Sequence, residues 1–193
     1  MLDIIKSIDL SLYADYLSFN QAYRNYFLEK AGREHYQLLA YLASLLPPDS
    51  KIVDIGTFFG SSALAFAAGN SKANVITYDI VDHFPKKGYK TIRDVSNITC
   101  KLCDGITEDE INTYLDAAII LLDIDPHDGI REKQFIQTIM SKKYKGLIIC
   151  DDICMNKEML AFWNWIPIEK IVLTHIGHWT GTGIVICNGD DSK

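Results

Sequence analysis

The sequence contains no apolar run near the ~20 residues that a membrane-spanning helix requires. It also has no cluster of basic residues, and its 25 acidic and 19 basic side chains give a formal net charge of −6. Because that charge repels phosphate backbones and anionic lipid, nucleic acids and membrane surfaces are disfavoured as partners. The N-terminus lacks the basic and apolar segments of a secretion signal, so we expect a cytoplasmic location.

Cysteine is scarce as well, with five residues in the chain. An odd number fits reduced thiols better than a disulfide framework. The two close pairs, Cys100 with Cys103 and Cys150 with Cys154, fall in or at the end of predicted strands. Residues three apart in a strand point to opposite faces, which disfavours a zinc site.

The 193 residues suit one domain spanning 1–193. We expect N-terminal helices over 1–48 and an α/β core over 49–188. One apolar stripe with helical spacing runs from Leu12 to Tyr26 and a second from Leu38 to Leu46, before Pro47-Pro48. Packing within the domain is the expected role of the first, tyrosine-rich stripe. A substrate pocket or a homodimer contact is the alternative.

Beyond Pro48, short apolar runs alternate with helical stretches, as in a parallel sheet covered on both faces. The predicted strands are Lys51–Ile55, Asn74–Tyr78, Ile98–Leu102, Ala117–Leu122, Leu147–Cys150, Ile171–Thr174 and Gly183–Cys187. The predicted helices between them are Ser62–Ala68, Gly129–Ser141 and Lys157–Trp165. The last two strands are too close in sequence for a helical crossover, so they should pair antiparallel. The sequence therefore predicts a doubly wound α/β domain.

A carboxylate lies at or just beyond the end of each of the first five predicted strands. These residues are Asp54, Asp79, Asp104, Asp123 with Asp125, and Asp151 with Asp152. Ligands of open α/β sheets bind beyond the carboxyl ends of the strands, so the acids should line one site. The loop after the first strand adds Gly56 and Gly60, which let the backbone turn sharply and approach a ligand. Its spacing is not the GxGxxG of dinucleotide-binding enzymes, which disfavours a nicotinamide enzyme.

The run Asp54-Ile55-Gly56-Thr57-Phe58-Phe59-Gly60-Ser61-Ser62-Ala63 resembles motif I of class I S-adenosylmethionine-dependent methyltransferases. It is most similar to that of catechol-type and macrocin-type O-methyltransferases, and the resemblance spans about Lys51 to Cys187. It implies a Rossmann-like, mostly parallel sheet of seven strands in the order 3-2-1-4-5-7-6, with the last strand antiparallel.

The resemblance also implies a set of cofactor-binding residues. Gly56 and its neighbours Asp54, Thr57 and Gly60 would border the methionine moiety, and Ser62 would bind its carboxylate. Phe58, with Tyr78, would pack around the adenosine. Asp79 would hold the ribose hydroxyls and Asp104 would lie beside the adenine amino group. Two alternatives stay open, because Asp104 also suits a turn before Gly105 and Phe58 also suits core packing.

The resemblance further implies a divalent cation bound by Asp123, Asp151 and Asp152. Oxygen ligands favour a hard cation, and Mg²⁺ is the one we expect. Related sequences often read Ile-Asp-Gly-Asp-His after the fourth strand, whereas this chain reads Asp123-Ile124-Asp125-Pro126-His127. Asp125 is thus the alternative ligand. The alternative role of Asp151-Asp152 is to begin a loop and helix.

Methyl transfer to a hydroxyl needs a positioned and deprotonated acceptor. His127 is the expected general base and Asp123 the expected catalytic carboxylate, with His175 and His178 as competing bases. The predicted function is cation-assisted O-methylation of a small molecule or sugar. A nucleic-acid methyltransferase and an inactive methyltransferase-like scaffold are the alternatives. The first lacks the Asn/Asp-Pro-Pro-Tyr motif of amino-directed enzymes.

Overall fold

The computed structural model describes residues 33–83 and 92–189. Strands and helices alternate along most of this part of the chain. The strands are β1 (Lys51–Ile55), β2 (Asn74–Asp79), β3 (Ile98–Leu102), β4 (Ile119–Leu122), β5 (Lys145–Cys150), β6 (Lys170–Val172) and β7 (Gly183–Asn188). The helices are α1 (Arg33–Ser44), α2 (Ser61–Gly69), α3 (Glu108–Thr113), α4 (Ile130–Ser141) and α5 (Lys157–Trp165), with one 3₁₀ turn at Ile92–Asp94.

The seven strands form one sheet in the order β3-β2-β1-β4-β5-β7-β6. The first five strands along the chain are parallel, and β7 pairs antiparallel with both β5 and β6. This arrangement confirms the predicted sheet order and the antiparallel end. β7 lies between β5 and β6, so the last strand of the chain is inside the sheet and β6 forms its edge.

Apolar side chains alternate between the two faces of the central strands, and each face buries its own core. Ile119 and Leu121 of β4 join a core with α1 and α2, whereas Ile120 and Leu122 join one with α3, α4 and α5. All four of these side chains are at most 2% exposed. Burial on both sides explains why β4 reads as an unbroken apolar run rather than an alternating one.

Most predicted elements form within one to three residues of their expected bounds. The prediction from the sequence missed α3, where Ile111 is the one buried residue and so leaves no helical repeat to detect. Thr107 caps this helix, and its hydroxyl accepts a hydrogen bond from the Glu110 amide.

The stripe from Leu12 to Tyr26 lies outside the described residues, and the division at residue 48 stays a prediction. No helix within 33–83 and 92–189 is long and apolar enough to cross a membrane.

Candidate active site

The carboxyl ends of the five parallel strands are aligned in register. Ile55 at the end of β1 lies between Tyr78 of β2 and Leu122 of β4, and Leu122 in turn pairs with Cys150 of β5. The residues that follow these positions therefore emerge at one edge of the sheet. This register brings the acids that follow the strands together.

Two glycines fix the loop between β1 and α2. Gly56 has φ +107°, and a Cβ placed there would lie 1.7 Å from the backbone oxygen of Asp123. Gly60 has φ +81°, and its Cβ would lie 2.6 Å from the side chain of Ile92. Only glycine fits both backbones, so the loop rests directly on the end of β4.

Asp79, at the end of β2, lies beside this loop, and two backbone amides donate hydrogen bonds to its carboxylate. The amide of Phe58 donates to its Oδ2 and the amide of Val81 to its Oδ1, each over 2.8 Å. His83 Nε2 lies 3.8 Å from Oδ2. A carboxylate oxygen can accept more than one hydrogen bond, so both oxygens retain capacity for the hydroxyls of a ligand.

A cavity of about 400 Å³ opens beside Asp79, and we call it the larger cavity because it exceeds its neighbour across the glycine loop. Its lining residues include Gly56, Phe58, Tyr78, Asp79, Asp104, Asp123, Asp125, His127, Arg131 and Asp152. Asp104 Oδ2 lies 2.5 Å from the guanidinium of Arg131, and Oδ1 accepts a 3.2 Å hydrogen bond from the amide of Ile106. Asp104 thus lines the cavity and also stabilises the turn before α3, so both predicted roles are compatible with its position.

A second cavity of about 150 Å³, the smaller cavity, lies on the other side of the glycine loop. It is lined by His35, Tyr36, Gly56, Thr57, Phe58, Phe59, Ser61, Ser62, Asp123, Asp151, Asp152 and His178. Ser61 is 5% exposed, and its Oγ has no hydrogen-bond partner among the described residues. The two cavities share Gly56, Phe58, Asp123 and Asp152, so a ligand in either one contacts the same wall.

The shared wall is strongly acidic. Burial, with the neighbouring carboxylates of Asp151 and Asp152, raises the pKa of Asp123 well above its ordinary value. Burial also acts to raise the pKa of Asp152, but hydrogen bonds from His178 and Thr180 outweigh it, and the net pKa is lowered. The wall therefore favours a proton or a cation beside Asp123.

Three histidines surround these acids. His127 Nε2 lies 3.4 Å from Asp152 Oδ2, while His178 Nδ1 lies 3.2 Å from Asp152 Oδ1. His35, from α1, places its Nε2 3.8 Å from Asp151 Oδ2. Burial lowers the pKa of His35, whereas the pKa of His178 is raised because the Asp152 hydrogen bond and the Asp151 charge outweigh its burial.

Two groups of side chains here have the composition of a metal site. The first is Asp123, His127 and Asp152, and the second is Asp151, Asp152 and His178; within each, the potential ligand atoms lie within 4.8 Å of one another. These residues fit a divalent cation. The Asp125 side chain is 96% exposed and lies 3.4 Å from His127. Asp125 belongs to neither group, whereas Asp123 belongs to the first.

Three predicted residues lie away from the cavities. Asp54 is fully buried beneath the glycine loop, where its Oδ2 accepts a 2.6 Å hydrogen bond from Thr77, and Gly60 lines neither cavity. Burial raises the pKa of Asp54 to about 6. His175 has an exposed side chain and likewise lines neither cavity.

Sequence reasoning did not select several polar residues that line the cavities, among them His35, Ser61, His83 and Arg131. Ser61 begins α2 directly after the glycine loop, so its place in the motif was a usable signal. No sequence signal marks His35 or Arg131, because each reaches the site from the surface of a helix through tertiary packing.

Comparisons with known proteins were made for both sequence and structure. No protein-family model and no curated protein matches the sequence. A methyltransferase from Podospora anserina, PaMTH1, solved with S-adenosylhomocysteine bound, is 15% identical, with a TM-score of 0.59 over 92% of this chain and 87% of that one. The chain has the class I methyltransferase fold.

Two further structures support that statement. A methyltransferase from Geobacter sulfurreducens is 16% identical, with a TM-score of 0.60 over 94% of this chain and 89% of that one. A proposed caffeoyl-CoA O-methyltransferase from Staphylococcus aureus is 14% identical, with a TM-score of 0.59 over 96% and 95%. At these identities the likeness concerns the fold, and the chemistry depends on the side chains described above.

Proposed function

We propose that the chain is an S-adenosylmethionine-dependent O-methyltransferase that acts on a hydroxyl of a small molecule or sugar and uses a divalent cation. The observation that supports this most directly is the position of Asp79, Asp123 and Asp152 on one cavity of about 400 Å³ at the carboxyl edge of the sheet. Binding of S-adenosylhomocysteine by the structurally similar PaMTH1 is compatible with that cavity.

In this proposal the nucleoside occupies the larger cavity. Asp79 accepts the ribose hydroxyls, because its two oxygens are already oriented by the amides of Phe58 and Val81. The methionine moiety passes Gly56 toward the smaller cavity, where Ser61 and Ser62 offer hydroxyls at the start of α2. The N-terminus of a helix favours an anion such as the methionine carboxylate.

The acceptor would meet the methyl group at the wall that the two cavities share. In the transfer, the acceptor oxygen forms a bond to the methyl carbon while the carbon–sulfur bond breaks, and the hydroxyl proton passes to a base. His127 and His178 are the histidines positioned for that proton, since both contact Asp152. A cation held by Asp123, Asp152 and their neighbours would lower the hydroxyl pKa and fix the oxygen.

The proposal includes a reducing, cytoplasmic environment and a small acceptor rather than a nucleic acid. All five cysteines are free thiols. The one arginine of the larger cavity, Arg131, is paired with Asp104, and the shared wall carries acids, which repel a phosphate backbone. Homodimerisation through the stripe from Leu12 to Tyr26 stays a prediction.

The experiment is calorimetric titration of S-adenosylhomocysteine into the full chain, with and without Mg²⁺. We expect binding that Asp79→Ala weakens about 10- to 100-fold, the loss of hydrogen bonds to a charged group worth about 1.5–3 kcal/mol. Asp109→Ala, which removes an exposed acid of α3, is the matched control and should bind normally.

Failure of the wild-type chain to bind at millimolar ligand would favour the inactive scaffold instead. A screen of sugar and phenol acceptors with labelled methyl donor then identifies the acceptor. Labelled nucleic acid in the same screen would instead support the nucleic-acid methyltransferase.

A further inference from the structure

We propose that His127 is a metal ligand, so that the centre formed with Asp123 and Asp152 is a mixed nitrogen–oxygen site that selects a first-row transition ion over Mg²⁺. This inference rests on the proposed function and names the cation of that same site. It departs from the oxygen-only centre predicted from the sequence, and it assigns the proton-accepting role to His178.

The geometry of the three side chains fits one cation. His127 Nε2 lies 3.4 Å from Asp152 Oδ2, and the ligand atoms of Asp123, His127 and Asp152 all lie within 4.8 Å of one another. A cation with bonds of about 2.1 Å separates neighbouring ligand atoms by about 3 Å and opposite ones by about 4 Å. Small side-chain rotations are enough to reach those separations.

The position of His127 is fixed by its backbone. Its φ is +54°, in the left-handed region. Its amide donates to the Ile124 carbonyl over 3.3 Å, and its carbonyl accepts a 2.9 Å hydrogen bond from the side-chain amide of Asn156. The imidazole side chain is 14% exposed. The chain thus holds this ring against the acids instead of leaving it in solvent.

The two histidines that flank Asp152 differ in what else they contact. His178 Nδ1 lies within hydrogen-bond distance of both the Asp152 carboxylate and the Thr180 hydroxyl. His127 Nε2 faces two carboxylates, those of Asp125 and Asp152, each at 3.4 Å. His178 Nδ1 also lies 3.8 Å from Asp151 Oδ1, so the Thr180 hydroxyl is the contact that distinguishes it from His127. A nitrogen whose described contacts are carboxylates is suited to share a cation with them, whereas a nitrogen that also contacts a hydroxyl is suited to exchange a proton.

A second observation indicates that this wall receives a ligand. Ser61, 5% exposed, lines the smaller cavity together with Asp123 and Asp152, and its Oγ has no hydrogen-bond partner among the described residues. Buried hydroxyls are normally satisfied, so a ligand is expected here. In the proposed function that ligand is the methionine moiety of the cofactor, which would lie against the same wall as the cation. Imidazole nitrogen is a good ligand for Fe²⁺, Ni²⁺, Cu²⁺ and Zn²⁺, whereas Mg²⁺ prefers oxygen and water.

The test is separate titration of metal-free full chain with Co²⁺ and with Mg²⁺, in the presence of S-adenosylhomocysteine. We expect Co²⁺ to bind at least about tenfold more tightly than Mg²⁺. His127→Gln should lower the Co²⁺ affinity about 10- to 100-fold and shift the Co²⁺ absorption bands. His127→Asp should reduce or reverse the preference for Co²⁺, and His175→Gln, which changes an exposed histidine, should match the wild type.

A measurement on the unmutated chain keeps the test independent of folding of the variants. Pulsed electron paramagnetic resonance of the Mn²⁺-loaded protein should show coupling to one ¹⁴N nucleus, which persists in His178→Gln. Absence of nitrogen coupling, equal affinity for Co²⁺ and Mg²⁺, or no binding of either ion would each overturn the proposal. Binding of S-adenosylhomocysteine without metal is scored separately, so failure of the methyltransferase assignment is distinguishable.

Discussion

Asp54 is an acid buried under the glycine loop, and its ionisation should lower the stability of the folded chain. Burial raises its pKa from 3.8 to about 6, although hydrogen bonds from Thr77 and Ser62 act in the opposite direction. At 1.36 kcal/mol per pKa unit, that rise corresponds to about 3 kcal/mol. The sign follows from linkage: a raised native pKa contributes stability at low pH that is lost as the pH rises through the native pKa.

Asp54→Asn removes this titration while keeping the size of the side chain. We expect the free energy of unfolding of the variant, relative to wild type, to increase by about 2 kcal/mol between pH 4.5 and pH 7.5, since most of the linkage falls in that window. Urea denaturation of both proteins at several pH values measures the difference.

The comparison of the two proteins cancels the titration of every other group. Asp109→Asn, at an exposed position in α3, is the charge-matched control and should show no such pH dependence. A difference between Asp54→Asn and wild type that stays constant over this range would refute the reasoning.

Three further substitutions test other parts of the structure. Gly56→Ala places a Cβ 1.7 Å from the Asp123 carbonyl, and it should cost more than about 2 kcal/mol in urea unfolding; a neutral result would contradict the loop geometry. Asp151→Ala should abolish turnover in labelled methyl transfer, as chelation of the cation should, with little change in cofactor affinity; full activity would disprove the assignment of Asp151 to the metal site. Tyr114→Phe removes the 2.6 Å hydrogen bond to the Gly105 carbonyl and should lower stability by about 1 kcal/mol in thermal denaturation, with an unchanged melting temperature counting against it.

The sheet and its acidic edge could be predicted because both depend on short-range patterns. Apolar runs such as Ile119–Leu122 fix which strands are central, and the acid that ends each strand must then lie at the same edge. Asp79 and Asp123 are placed in this way, and both line the larger cavity. A motif confined to one loop, such as that around Gly56, is equally readable.

The rest of the site depends on contacts between residues far apart in the chain, which local sequence patterns do not reveal. His35 reaches Asp151 from α1, and the hydrogen bond between His178 and Asp152 joins residues 26 positions apart. Strand alternation does contain one signal that was not used. Asp54 shares a face of β1 with Ile52, which lies in the core beneath α1 and α2, so its burial could have been anticipated.

The contact between Gly56 and the Asp123 carbonyl has a practical consequence for engineering. Because the two strand ends approach backbone to backbone, the spacing between the proposed cofactor and acceptor positions cannot be widened without rebuilding both strand ends. Substitutions meant to admit bulkier compounds should therefore change Tyr36 or Phe59, which line the smaller cavity, and leave the contact between Gly56 and Asp123 unchanged.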